Sequence, residues 1–112
     1  MKKVGIIRCQ QTEDICQGRT DFKIADLGKM VFQETGPVRI VGFVSCGGCP
    51  GKLAIRRAET MVEKAGAEII VLASCIGRGN PIGFPCPHFE TILESLKKRL
   101  GEKVEIFDWS HV

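Results

Sequence analysis

The feature that most restricts the fold of this chain is the alternation of short β-branched runs with longer amphipathic segments. Four runs have the composition of strands, and the third is almost continuously apolar, as expected for a strand buried on both faces. Three intervening segments carry apolar residues at helical spacing. The predicted strands are Lys3–Arg8, Val38–Ser45, Ala67–Ser74 and Lys103–Trp109, and the predicted helices are Asp21–Thr35, Pro50–Ala65 and Pro87–Leu100.

Strands that alternate with helices over short connections predict βαβ units and therefore a parallel sheet. Because crossovers between parallel strands are right-handed, few topologies remain. We expect an α/β fold: a small parallel sheet of four strands in a flavodoxin-like or Rossmann-like three-layer sandwich, with strand order 2-1-3-4. The 112 residues suit one domain with one core, so we expect residues 1–112 to form it. An exposed edge of so small a sheet could also support a homodimer.

Composition and charge exclude several partners. The net charge of +3 is small, and there is no basic run and only one Trp with no Tyr, so we expect no nucleic-acid surface.

The apolar run Val4–Ile7 is too short for a signal peptide, and no segment approaches the roughly 20 apolar residues of a membrane helix. We therefore expect a cytoplasmic protein without membrane contact, in which thiols are kept reduced.

Three of the six cysteines stand at equivalent places in the predicted sheet. Cys9, Cys46 and Cys75 each come at or just past the carboxyl end of a different strand. These ends share one edge of a parallel sheet, where neighbouring strands lie roughly 4.8 Å apart. Open α/β sheets bind ligands at that edge. Free cysteines are also good small core residues, but scattered core residues would not be expected to choose three equivalent positions.

Two further cysteines precede prolines at predicted helix starts. Cys49-Pro50 opens the second helix and Cys86-Pro87 opens the third. Proline suits the first helical position, so each cysteine is expected near the N-cap, where backbone amides and the helix dipole favour a thiolate. Both helix starts face the carboxyl edge in this fold, so both thiols can converge with the strand-end cysteines.

Histidines and the remaining cysteine extend the candidate set. His88 lies two residues after Cys86, and His111 follows the fourth strand. Each is either a ligand or an ordinary polar residue, in an exposed turn or at a frayed terminus. Cys16 lies in a polar loop and is either an extra ligand or an unremarkable thiol; we expect its replacement to have little effect.

The pair Cys46-Gly-Gly-Cys49 has the spacing with which two thiolates chelate one ion, and its glycines allow a tight turn. Cys75 and Cys86, with His88, could complete a tetrahedral set. This pattern predicts a soft-metal site, most simply zinc, while an iron–sulfur cluster is an alternative because thiolates bind both. A weaker expectation is that cations near the same edge hold a small anionic ligand; these are Arg8, Lys52 and Arg78.

Cys46-Gly47-Gly48-Cys49-Pro50-Gly51, between a predicted strand and a predicted helix, resembles the hallmark of the CGGC-domain family. The resemblance covers nearly the whole chain, with Cys9, Cys75, Cys86 and His88 in suitable flanking positions. It implies a small prokaryotic metal-binding domain, with zinc as the expected metal. It implies no particular reaction.

Two enzyme classes compete with the metal-binding interpretation. A dithiol oxidoreductase would use Cys46 and Cys49, but it would leave the other cysteines unexplained. A cysteine phosphatase or oxyanion reductase would use Cys46 as the first residue of a Cys-x5-Arg loop. Here Lys52 occupies the arginine position, and lysine lacks the bidentate fork of arginine. A Walker loop is excluded, since Leu53 replaces its hydroxyl residue and its first glycine is missing.

Overall fold

The structure is a computed structural model that describes residues 1–12, 17–79 and 85–111. The strands are β1 (Lys3–Arg8), β2 (Arg39–Ser45), β3 (Ile69–Leu72) and β4 (Glu105–Phe107); the helices are α1 (Arg19–Leu27), α2 (Lys52–Ala65), the single turn α3 (Ser74–Gly77) and α4 (Phe89–Leu100), with 3-10 turns at Gln10–Thr12 and Met30–Phe32. Within those described ranges, every helix is too short or too polar to cross a bilayer.

The four strands form one parallel sheet in the order β2-β1-β3-β4. The predicted α/β fold and its strand order are therefore confirmed. Strand β1 is central and pairs with both β2 and β3, so that Arg8 lies opposite Ser45 and Ile7 lies opposite Leu72. This register brings the carboxyl ends of three strands together, and the chain leaves each of them toward the same edge.

The core is built from the two central strands and the apolar faces of the helices. All four residues of β3 are buried, as are Val4, Ile6 and Ile7 of β1. The apolar residues that predict the last helix form its core face, where Ile92, Leu93, Leu96 and Leu100 are buried. Helix α2 buries Ala54, Ala58 and Met61, small and flexible side chains that let it pack closely on the sheet.

Met61 lies over two glycines of neighbouring strands. A Cβ atom at Gly42 would stand 2.5 Å from the Met61 sulfur, and one at Gly5 would stand 2.8 Å from it. Side chains at these positions would collide with the methionine. Glycine in the two strands thus makes the space into which Met61 packs.

The predicted helix Asp21–Thr35 is wrong in its second half. Helix α1 ends at Leu27, and Gly28 follows in the left-handed conformation with φ 65°. The apolar residues then do not share one helical face: Phe22, Leu27 and Met30 are exposed. The helix ends because its C-cap glycine packs against the backbone of Gly36 and Pro37, where a Cβ atom would stand 2.6 Å from the proline nitrogen.

The predicted helix starts are also wrong by two residues, which changes the setting of two cysteines. Helix α2 begins at Lys52 after Gly51, and α4 begins at Phe89 after His88. Cys49 and Cys86 therefore lie in the preceding turns instead of at the N-caps. At the end of β3 the chain turns at once into α3, so Cys75 lies inside that single helical turn.

Candidate thiol site

Four cysteine side chains line one cavity of about 270 Å³ at the carboxyl edge of the sheet. They are Cys9, Cys46, Cys49 and Cys86, which come from three separate segments of the chain, since Cys46 and Cys49 share one loop. We call this space the thiol cavity. Its wall is completed by apolar and amide residues, namely Gln10, Gln11, Gly48, Ile76, Pro85, Pro87 and Ile92.

Strand pairing positions the first two thiols. Cys9 follows β1 directly, and Cys46 follows β2, where its N–H donates to the carbonyl of Arg8 at 2.8 Å. The hydrogen bond extends the β1–β2 pairing by one residue, so the two cysteines stand on adjacent chains. Cys46 is buried, whereas Cys49 is exposed.

The Gly-Gly link between Cys46 and Cys49 requires glycine at both positions. Gly47 and Gly48 have φ values of 82° and 100°, a left-handed conformation that favours glycine. A Cβ atom at Gly47 would stand 2.6 Å from the Cβ of Leu53, and one at Gly48 would stand 2.8 Å from Oε1 of Gln10. The loop is therefore held closely between α2 and the turn that carries Cys9.

An arginine of α2 fixes the start of this loop. Nη1 of Arg57 donates to the carbonyl of Ser45 at 3.2 Å and to its hydroxyl at 2.9 Å, and that hydroxyl accepts the N–H of Gly47 at 3.3 Å. Sequence reasoning missed Ser45 and Arg57, since no local motif joins residues twelve apart on different elements. The only sequence signals were that Ser45 is a polar residue at the end of a predicted strand and that Arg57 is a polar residue of a predicted helix.

Cys86 is fixed by backbone hydrogen bonds and surrounded by other thiols. Its N–H donates to the carbonyl of Ile76 at 2.7 Å, and its sulfur accepts the N–H of His88 at 3.4 Å. Burial raises the pKa of the Cys86 thiol; the His88 amide lowers it, and the nearby thiols of Cys49, Cys9 and Cys46 raise it further. These three thiols are thus close enough to Cys86 to disfavour its ionisation.

Cys75 lies behind the thiol cavity and does not line it. Its buried sulfur accepts the N–H of Cys9 at 3.1 Å. Burial is the main cause that raises the pKa of the Cys75 thiol, against the Cys9 amide and the Thr12 hydroxyl, which lower it. Thr12 also donates to the carbonyl of Cys9 at 2.9 Å, so Cys75 and Thr12 together hold the backbone that presents Cys9.

The two histidines differ in their surroundings. His88 is half-buried at the N-cap of α4 and does not line the cavity. Nε2 of His111 lies 3.7 Å from Oδ1 of the buried Asp21. Burial raises the pKa of Asp21, whereas the Ser110 hydroxyl, His111 and Arg8 act in the opposite direction.

The three predicted anion-binding cations have different surroundings. The guanidinium of Arg8 lies 5.4 Å from the ring centre of Phe43, and that of Arg78 lies 4.8 Å from the ring centre of Trp109. Lys52 lines a different cavity, between α2 and α4. Cys16 lies outside the described residues.

Four of the predicted metal ligands line one cavity, but their side chains do not form a metal-binding arrangement in the described residues. In residues 1–12, 17–79 and 85–111, no three Cys, His, Asp or Glu side chains are arranged so that they could hold a metal ion. The site of this structure is accordingly a set of four free cysteines around a shared cavity.

The fold and the site thus define the class of protein: a small parallel α/β protein with a cysteine-lined cavity beyond its strand ends. The sequence model of the CGGC domain matches residues 3–111, and the chain belongs to the CGGC domain family. Two similar proteins come from Methanocaldococcus jannaschii. Uncharacterized protein MJ0582 is 32% identical over 109 residues, covering 93% of this chain and 80% of its own length. Uncharacterized protein MJ0766 is 34% identical over 61 residues, covering 54% of this chain and 86% of its own length. No solved structure matches the chain.

Proposed function

We propose that the protein binds a zinc ion in the thiol cavity through Cys9, Cys46, Cys49 and Cys86. The observation that carries this proposal is the convergence of these four thiols, from three segments of the chain, on one cavity of about 270 Å³. Four thiolates are a complete donor set for tetrahedral zinc. Membership of the CGGC domain family supports metal binding without specifying the metal or its ligands.

The electrostatics of the cavity favour a cation among ionised thiols. Burial and the neighbouring cysteines raise the pKa of Cys86, so its ionisation is disfavoured in the absence of a positive charge. A divalent ion reverses this balance, because its charge stabilises the thiolates that bind it and displaces their protons. Zinc binding should therefore release protons and weaken as the pH falls.

Metal binding requires small movements at the cavity. The four sulfurs are not yet arranged around one point. Cys49 is exposed and follows two glycines with positive φ, so its side chain has room to turn inward. Cys9 and Cys46 stand on paired backbone and provide the fixed half of the donor set.

Cys75 has a positioning role in this proposal. It holds the Cys9 amide at 3.1 Å from behind the cavity wall. A residue in the outer shell of a metal site typically costs about 10–100-fold in affinity when it is replaced. Loss of a direct ligand should cost more than about 100-fold, which separates the two roles.

The test compares serine variants of single cysteines in reduced, metal-free protein. Zinc affinity is measured by competition with a chelating indicator, and Co²⁺ absorption reports the number of thiolate ligands. Cys46→Ser, Cys49→Ser and Cys86→Ser should each weaken zinc binding more than about 100-fold, and Cys75→Ser should stay within the outer-shell range. Equal affinities for the Cys46→Ser variant and the unmodified protein would refute the proposal.

The different exposures of Cys46 and Cys49 favour a second candidate function, thiol–disulfide exchange. The exposed Cys49 thiolate would attack one sulfur of a substrate disulfide and release the other as a thiolate. The buried Cys46 thiolate would then attack Cys49, forming a Cys46–Cys49 disulfide and releasing the second substrate thiol. This function predicts metal-free protein that reduces a model disulfide and loses that activity in Cys49→Ser.

A further inference from the structure

A second cavity, of about 540 Å³, lies between α2 and α4 beside the thiol cavity. We call it the α2–α4 groove. Three cationic side chains line it, and none of the described residues in its wall is Asp or Glu. Its polar residues are Lys52, Lys98, Arg99, Thr91 and Ser95.

The groove and the thiol cavity share a wall. Ile92 lines both spaces, and Pro50 and Gly51 of the groove directly follow Cys49 of the thiol cavity. Gly51 has φ 88°, and a Cβ atom there would collide with Ile92. The chain that carries Cys49 is therefore packed directly on α4, between the two spaces.

The carboxylate of Glu59 lies near the groove without lining it. Oε1 of Glu59 is 3.4 Å from Nη1 of Arg99, and both side chains are partly exposed, at 32% and 64%. An exposed ion pair of this kind is weak and exchangeable. Arg99 is therefore able to turn from Glu59 to an anion.

We propose that the α2–α4 groove binds the phosphate group of a small molecule. Phosphate carries two negative charges and several acceptor oxygens, which match a concave surface of three cations and two hydroxyls. The Lys and Arg side chains offer charge and N–H donors, and Thr91 and Ser95 offer O–H donors from successive turns of α4. The rest of such a molecule would lie toward Ile92 and the thiol cavity.

The probe is inorganic phosphate, titrated into isotope-labelled, reduced and metal-free protein at constant ionic strength. Dithiothreitol keeps the thiols reduced without adding an anion to the solution. Saturable shifts of the Thr91 and Ser95 amide resonances are expected. Equal shifts from chloride at the same ionic strength would show only screening and would overturn the proposal.

Single variants identify the groove as the site. Lys98→Gln should weaken phosphate binding about fivefold, as expected for one partly exposed charge beside a dianion, while Lys97→Gln is the matched control on the same helix. Lys97 does not line the groove. Equal losses in both variants would mean a nonspecific charge effect and would overturn the proposal.

Glu59→Gln gives a test in the opposite direction. It removes the competing carboxylate from Arg99, so phosphate binding should become about twofold to fivefold tighter. Unchanged or weaker binding would contradict the assigned role of Arg99. All these measurements use metal-free protein, so their failure is distinguishable from failure of the zinc proposal.

Discussion

The pairing of Ser74 with Ser110 makes a sharp prediction about how the chain end is fastened to the carboxyl edge. Both residues are fully buried. The Ser74 hydroxyl accepts the N–H groups of Ser110 and His111, each at 3.0 Å. In return, the Ser110 hydroxyl accepts the N–H of Ser74 at 3.1 Å. The three bonds tie residues after β4 to the turn that carries Cys75.

The magnitudes follow from how many donors each substitution leaves without an acceptor. Ser110→Ala leaves the buried N–H of Ser74 without an acceptor and removes the hydroxyl that hydrogen-bonds Asp21, so it should lower the free energy of unfolding by about 1–3 kcal/mol. Ser74→Ala leaves two N–H groups without an acceptor, so it should cost more, about 2–5 kcal/mol. The cost is less than twice that of Ser110→Ala because the His111 amide is only partly buried. Ser74→Ala should therefore be the less stable variant.

Urea unfolding of reduced, metal-free protein measures the difference by linear extrapolation. Ser95→Ala is the control: this half-buried serine of α4 should change stability by no more than about 0.5 kcal/mol. A Ser74→Ala variant as stable as Ser110→Ala, or both within the range of the control, would refute the reasoning.

Three further predictions concern packing, pH and thiol reactivity. Gly42→Ala should lower stability by about 1–3 kcal/mol, because its Cβ would stand 2.5 Å from the Met61 sulfur, and adding Met61→Ala should cost less than the sum of the two; strict additivity in urea unfolding would contradict the contact. Burial raises the pKa of Asp21, so folded protein holds this proton more tightly, and stability falls as the pH rises through the ordinary value of 3.8 to the higher folded one. Asp21→Asn should thus gain stability relative to the unmodified protein as the pH rises above 3.8, measured by urea unfolding, and a relative loss of stability would contradict this reasoning. Iodoacetamide should modify the exposed Cys49 well before the buried Cys75, whose pKa is raised by burial, with mass spectrometry as the readout; equal rates would show that Cys75 is accessible.

The sheet order was predictable because it depends on patterns that are local in sequence. Each strand is a compact apolar run, and each connection is short, so handedness leaves few arrangements. The core face of α4 followed from the spacing of Ile92, Leu93, Leu96 and Leu100 in the same way. These predictions needed no knowledge of which distant residues touch.

The errors arose where tertiary contacts override local signals. Gly36-Pro37 is a strong stop signal, yet α1 ends earlier because Gly28 packs against those same two residues after the chain has turned back. Cys-Pro pairs suggested N-caps, but Gly51 and His88 take those positions. Local propensity is a weak prior when such contacts compete.

The candidate site was predictable in location but not in detail. Strand-end placement indicated that cysteines meet at one edge, and four of them line one cavity there. The turn of α3 that places Cys75 behind the cavity has no sequence signature. Ser45 and Arg57 were equally invisible, since their hydrogen bonds join residues far apart in the chain.

The most direct test of the account is elemental analysis with a visible spectrum, on untagged protein purified without air. Four thiolates around one zinc ion predict about one zinc per chain and a colourless protein. Iron with sulfide and a brown colour would contradict zinc and indicate a cluster bound by the same cysteines. Metal-free protein that stays metal-free after incubation with zinc would contradict the central claim and leave thiol–disulfide exchange as the function of the cavity.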